Sequence, residues 1–172
     1  SVRRGMLAFP SPRLVKISTP YLRSGVLYAD HKAAWGLDNP DLLVFKGMLQ
    51  QLMGQGQAAQ ETWSAAEAML GKKTDLLTLR AQKWLLLQQS QAALADAQAI
   101  VQMDPASAVG YLLLGQANEQ LGQDMDAIAA YETAGNLANA SNQPQIAVMA
   151  RMQMGMLQQR FILPTAKPTV QP

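Results

Sequence analysis

The sequence predicts an all-α fold built from short antiparallel helix pairs, and three observations carry that prediction. The chain is rich in Ala, Leu, Gln and Met, which propagate helices well, and poor in the aromatic and β-branched residues that fill strands. Beyond Pro40, amphipathic stretches of about a dozen residues alternate with Gly, Asp or Pro breaks. Those breaks are short, so consecutive helices must fold back on one another. With 172 residues, the chain can bury a real core and fits one domain or one repeat array.

Residues 1–20 hold Pro10, Pro12 and Pro20 around a short apolar alternation from Leu14 to Ile17, which suits an extended arm. The net charge is only +2, but Arg3, Arg4, Arg13, Lys16 and Arg23 meet no acidic residue before Asp30. Five spaced cations among prolines are a modest footprint for an anionic membrane or nucleic acid, and a solvated or self-docking arm is the favoured reading. Tyr21, Leu22, Gly25, Tyr28, Ala33 and Trp35 then fall at helical spacing. They predict a solitary helix within 21–39, ended by Asp38-Asn39-Pro40.

The remaining breaks define helices over 42–53, 58–70, 77–87, 92–103, 109–121, 125–137 and 144–161. Gly54-Gln55-Gly56 separates the first two. Gly71-Lys72-Lys73 closes the second with glycine and cations, both favoured at a helix end, and Thr74 or Asp75 is expected to cap the third. The Gln88-Gln89-Ser90 turn follows, Asp104-Pro105 stops 92–103, and Ser107 suits the next cap. Gly122 breaks the chain again, and 125–137 runs out in Asn139-Ala140-Ser141-Asn142. Pro144 belongs in a first helical turn, whereas Pro164, Pro168 and Pro172 mark a tail or linker over 163–172.

A self-comparison at a spacing of 34 residues aligns three segments without a gap, starting near Pro40, Thr74 and Ala108. The third carries Tyr111, Leu114, Gly115, Gly122, Ala127, Tyr131 and Ala134. The second carries Leu77, Ala81, Trp84, Ala93, Ala97, Ile100 and Pro105, and the first carries Leu43, Gly47, Gly54, Ala59, Trp63, Ala66 and Gly71. On these residues the stretch 40–141 resembles the tetratricopeptide repeat family, with Lys46, Gln50 and Arg80 departing from its pattern. The resemblance implies a helix-turn-helix solenoid of about three repeats, preceded by the solitary helix and closed by a capping helix over 142–162. Small residues at these spacings let paired helices approach while Trp63 or Tyr131 fills the space between hairpins. Trp63 and Trp84 are accordingly expected to be buried.

Residues for catalysis are missing. Cysteine is absent, which excludes disulfides, thiolate metal sites and cysteine nucleophiles, and His31 is the lone histidine, a surface residue by expectation. Gly54-Gln55-Gly56 lacks the strand and lysine of a phosphate loop. Asp124 and Asp126 open a helix, where the dipole favours their charge, so acid-base work is the weaker reading of the pair. Basic residues interleaved with aromatics, the platform for nucleic acid, are not found, and no apolar run reaches a membrane span. No cofactor or metal is expected, nor any enzymatic activity.

The resemblance also implies where a partner sits, because first helices in this family line a concave groove for peptides or helices. By alignment the groove presents Asp41, Val44, Phe45, Met48 and Gln51, then Thr78, Leu79, Gln82 and Leu86, then Val109, Leu112, Leu113, Gln116 and Gln120. Members that grip the carboxylate ends of chaperone tails use cationic and amide side chains where this chain has Val44, Met48, Leu79, Val109 and Leu113, so that mode is not expected. An open apolar groove calls for a cover: a partner's helix or peptide, a second copy of the chain, or the arm around Leu7-Ala8-Phe9-Pro10. In a short array Leu112 and Leu113 could instead simply pack inside. Met149, Met152, Met154 and Met156 crowd the last helix; most are expected to pack beneath the third repeat, leaving at least one exposed.

The function expected is that of an adaptor or assembly scaffold. The alternatives are a homo-oligomerising structural subunit, or the non-catalytic interaction domain of a larger enzyme or secretion assembly. Low charge, many glutamines and no cysteine suit a bacterial envelope or periplasmic setting, and cytoplasm nearly as well.

Overall fold

Seven helices follow one another in a computed structural model, which describes residues 39–162. They are α1 (Pro40–Leu52), α2 (Gly56–Leu70), α3 (Lys73–Leu86), α4 (Ser90–Met103), α5 (Ala108–Gln120), α6 (Asp124–Ala140) and α7 (Pro144–Ile162). No strand occurs among the described residues. The arm at 1–20, the body of the helix expected over 21–39, His31 and the tail at 163–172 lie outside them.

The pairs α1/α2, α3/α4 and α5/α6 form three hairpins, and α7 packs on α6 and α5. The first helices touch one another in the row α1, α3, α5, α7, whereas the second helices make no comparable contact. The stack therefore curves with the first helices on its inner face.

Local chemistry explains the boundaries. The Asn39 side chain accepts from the Asp41 N–H at 2.9 Å with Pro40 in the first turn, and the Ser107 hydroxyl accepts from the Gly110 N–H at 3.1 Å. Neither Thr74 nor Asp75 caps α3, contrary to expectation. That helix starts at Lys73, with Lys72 at the cap position, and takes both residues into its first turn, where the Asp75 charge meets the helix dipole. Helix α6 also runs to Ala140, beyond the expected 137, because Leu137 and Ala138 pack against Ala108 and Ala147.

One turn recurs four times. At Gly54-Gln55, Gln88-Gln89, Gly122-Gln123 and Asn142-Gln143, a residue with positive φ is followed by a glutamine. The glutamine N–H donates back five residues, to the carbonyls of Gln50, Trp84, Asn118 and Ala138 respectively, which closes the preceding helix in a Schellman turn.

Each hairpin sets one small residue against its partner helix. A methyl group added at Gly115 would lie 2.5 Å from the Tyr131 ring, and one added at Gly47 would overlap the Trp63 indole. In the second repeat the matching positions are Ala81 and Ala97, both fully buried. The close approach is thus conserved in space by glycine against an aromatic ring or by alanine against alanine. Trp63 and Trp84 are buried, and the Trp63 Nε1–H donates to the Val44 carbonyl at 3.2 Å.

Arg80, where the repeat pattern calls for leucine, is integrated rather than solvated. Its guanidinium forks onto the buried Asp96 carboxylate across the α3/α4 hairpin and stacks over Trp63.

Candidate partner-binding groove

The curve of the first helices leaves a groove of about 810 Å³ between α3, α5 and α7. Of the positions expected to line it, Gln82, Leu86, Val109, Leu112, Leu113, Gln116 and Gln120 come together there. Leu86 stands 81% exposed at its edge, whereas Leu112 and Leu113 are nearly buried and form its base. The two leucines pack within the array and also line the groove.

The first repeat does not contribute. Val44 and Met48 are completely buried around Ala59 and Trp63, because the large indole draws that face of α1 into the core. Phe45 and Gln51 are exposed on α1 but do not line the groove. Asp41 instead pairs with Lys83 Nζ at 2.8 Å, tying α1 to α3. Thr78 and Leu79 are half-buried; the Thr78 hydroxyl donates to the Thr74 carbonyl at 2.8 Å, and Leu79 packs on the first core cluster.

Sequence reading missed the third wall. Ile146, Met149, Gln153 and Arg160 of α7 line the groove together with Leu85 and Glu119. The signal was present at a different period, since Val109, Leu112 and Gln116 of α5 recur as Ile146, Met149 and Gln153, each 37 residues on. Helix α6 has 17 residues against 14 in α4, and the three extra shift α7 out of the 34-residue register. What reads as a cap is also the first helix of a further half-repeat.

The expectation that most methionines of α7 pack beneath the third repeat is corrected. Only Met154 does so, beside Ala150 and Leu157; Met149, Met152 and Met156 are exposed. The buried face of α7 is carried by Ala147, Ala150 and Leu157, so residues between those positions point outward.

The groove is electrically closed. Glu119 and Arg160 are the charged side chains lining it, and they pair with each other at 3.2 Å, while the Tyr131 hydroxyl donates to Glu119 at 2.8 Å. Burial, followed by the bond to Glu119, pushes the Tyr131 phenol far above its ordinary value and keeps it a donor. Gln120 is committed as well: its Nε2 donates to the Leu85 carbonyl and its Oε1 accepts from Ser90. Gln82, Gln116 and Gln153 line the groove beside the apolar base and have no side-chain hydrogen-bond partner among the described residues. Also among the described residues, no three His, Cys, Asp or Glu side chains gather to hold a metal ion, and no helix is long and apolar enough to cross a membrane.

The arrangement of these helices matches that of the first TPR domain of Spaghetti (RPAP3), solved bound to the HSP90 peptide SRMEEVD. The TM-score is 0.51 at 19% identity, covering 73% of this chain and 95% of that one. The fold is of the tetratricopeptide type. The Sgt2 TPR domain from Aspergillus fumigatus aligns with TM-score 0.47 at 16% identity, over 77% of this chain and 90% of that domain. MamA from Desulfovibrio magneticus RS-1 aligns with TM-score 0.40 at 20% identity, over 92% of each chain. No family model matches the sequence, and no curated protein matches it. The tetratricopeptide-type array is therefore a likeness of backbone, and its groove must be read from its own side chains.

Proposed function

We propose that this tetratricopeptide-type array is a non-catalytic protein-interaction module that holds an amphipathic helix or extended peptide by its apolar side in the α3/α5/α7 groove. The observation that carries the reading is the lining itself: Leu86, Val109, Leu112, Leu113, Ile146 and Met149 with free amides at intervals, and a single self-neutralised ion pair. Apolar side chains supply the affinity, and Gln82, Gln116 and Gln153 hydrogen-bond the ligand's polar edge. Among the described residues a carboxylate-terminated tail finds no unpaired cation lining the groove, and this reading therefore disfavours acidic tails such as the peptide SRMEEVD bound by the RPAP3 domain.

Selection from a displayed library of amphipathic helices and acidic carboxy-terminal peptides tests this. Binders should carry apolar residues at helical spacing and be lost with Leu86→Asp or Met149→Asp, both exposed positions whose change leaves the circular dichroism spectrum intact. Recovery of acidic carboxy-terminal sequences, or binders indifferent to both substitutions, overturns the reading.

One observation favours a second reading, in which copies of the chain associate. Val148, Met152 and Met156 form an exposed apolar row at four-residue spacing on α7, the last helix among the described residues. Light scattering on the full chain separates the two: a stable dimer dissolved by Met152→Glu supports self-association, and a monomer sinks it.

A further inference from the structure

A second cleft, of about 520 Å³, lies between the second helices α4 and α6, and it shares no residue with the groove. Its walls include Tyr111, Leu114 and Asn118 of α5 and Ala130 of α6. One repeat earlier, the same positions hold Leu77, Arg80, Trp84 and Asp96. There the volume is filled, since Trp84 is buried and Arg80 binds Asp96 while covering Trp63. Leucine for arginine, asparagine for tryptophan and alanine for aspartate remove bulk together with both charges, and tyrosine in place of leucine at 111 returns only part of it.

Asn118 makes the cleft more than a packing defect. It is only 7% exposed, yet its carboxamide makes no hydrogen bond among the described residues. No polar side-chain atom sealed from solvent lacks a partner there, so the Asn118 amide keeps its outlet through the cleft it lines. A carboxamide sets a donor beside an acceptor, which is the complement of a peptide group. Among the described residues, Asp126 is the only Asp, Glu, Lys or Arg side chain lining the cleft, and Leu94 and Leu114 provide an apolar wall for an alkyl stem.

We propose that the α4/α6 cleft is a second binding site, which takes an extended peptide by its main chain at Asn118 and an arginine side chain of that peptide at Asp126. The planar guanidinium fork fits a carboxylate at a cleft rim, and its stem covers Leu94 and Leu114. An array with this site engages its partner, or two partners, on both sides of α5.

The test uses the full chain, labelled with ¹⁵N, titrated with blocked alanine-based heptapeptides whose central residue is arginine or citrulline. The arginine peptide should shift the Asn118 side-chain amide and the Ala130 amide saturably in the millimolar range. The uncharged citrulline peptide should bind about tenfold more weakly, the scale of one charge-assisted contact. Asp126→Asn should bring the arginine peptide down to the citrulline level and leave citrulline unchanged, a split that a general loss of structure would not produce. Ala129→Arg, at an exposed cleft position, should abolish binding by supplying its own guanidinium to Asp126. Three results each overturn the proposal: no saturable shift with arginine, equal binding of citrulline, or shifts confined to Leu86 and Met149. Leu86→Asp leaves this titration untouched, so failure of the groove and failure of the cleft are distinguishable.

Discussion

The guanidinium carbon of Arg80 lies 4.3 Å above the centre of the Trp63 ring while the same fork holds Asp96, so one cation joins the first and second hairpins. Asp96 is buried and has no other charged partner among the described residues. Asp96→Ala should therefore cost about 3 kcal/mol by stranding a half-buried cation, whereas Arg80→Leu with Asp96→Ala should recover most of that loss. The double change reproduces the Leu114 and Ala130 pair of the next repeat. Urea unfolding of the two single variants and the double variant, read as a mutant cycle, checks it.

Gly115 and Gly135 should answer the same substitution with opposite signs. An added methyl at Gly115 meets the Tyr131 ring at 2.5 Å, so Gly115→Ala should destabilise by about 1 to 3 kcal/mol. At Gly135 the nearest atom is the Ala150 methyl at 3.9 Å, an ordinary contact, and Gly135→Ala should stabilise α6 by about 0.5 to 1 kcal/mol. Thermal unfolding of both variants decides the matter.

Gln88 sits at φ 59, at the position where Gly54 and Gly122 stand in the neighbouring repeats. A side chain in the left-handed region costs about 1 kcal/mol that glycine avoids. Gln88→Gly should raise stability by roughly 0.5 to 1 kcal/mol despite the entropy of glycine in the unfolded chain. A fall in the urea midpoint would contradict this.

Tyr131 gives stability a pH dependence of definite sign. Its phenol is held protonated in the fold by burial and by Glu119, while the unfolded phenol ionises near its ordinary value of about 10. The contribution is complete below that value and is lost as pH rises above it, because the unfolded chain then releases a proton that the folded chain retains. Between about pH 10 and 11.5, the wild-type chain should lose stability more steeply than Tyr131→Phe, by up to about 1.4 kcal/mol per pH unit. At neutral pH, Tyr131→Phe should cost about 1 kcal/mol for the lost hydrogen bond. Parallel slopes for the two chains would overturn the assignment.

The seven helices, the turn glycines and the 34-residue register were legible in the amino-acid order, because each depends on local chemistry. A glycine with positive φ, a proline in a first turn and a Ser107 cap act within a few residues of themselves. The burial of Trp63 was legible for a different reason, the repeat itself, since its spacing from Gly47 recurs in Tyr131 and Gly115.

Which side chains face the groove was decided only in three dimensions. Val44 and Met48 hold groove positions in the repeat register, yet Trp63 pulls them into the core; Met149 and Gln153 lie outside that register, yet a longer α6 carries them into the groove. The Asn118 cleft is likewise open because Leu114, Asn118 and Ala130 leave unfilled the space that Arg80, Trp84 and Asp96 occupy one repeat earlier. Helix identity is a property of consecutive residues, whereas the open volume between helices is the difference between large side chains brought together from distant parts of the chain, and packing alone sets that difference.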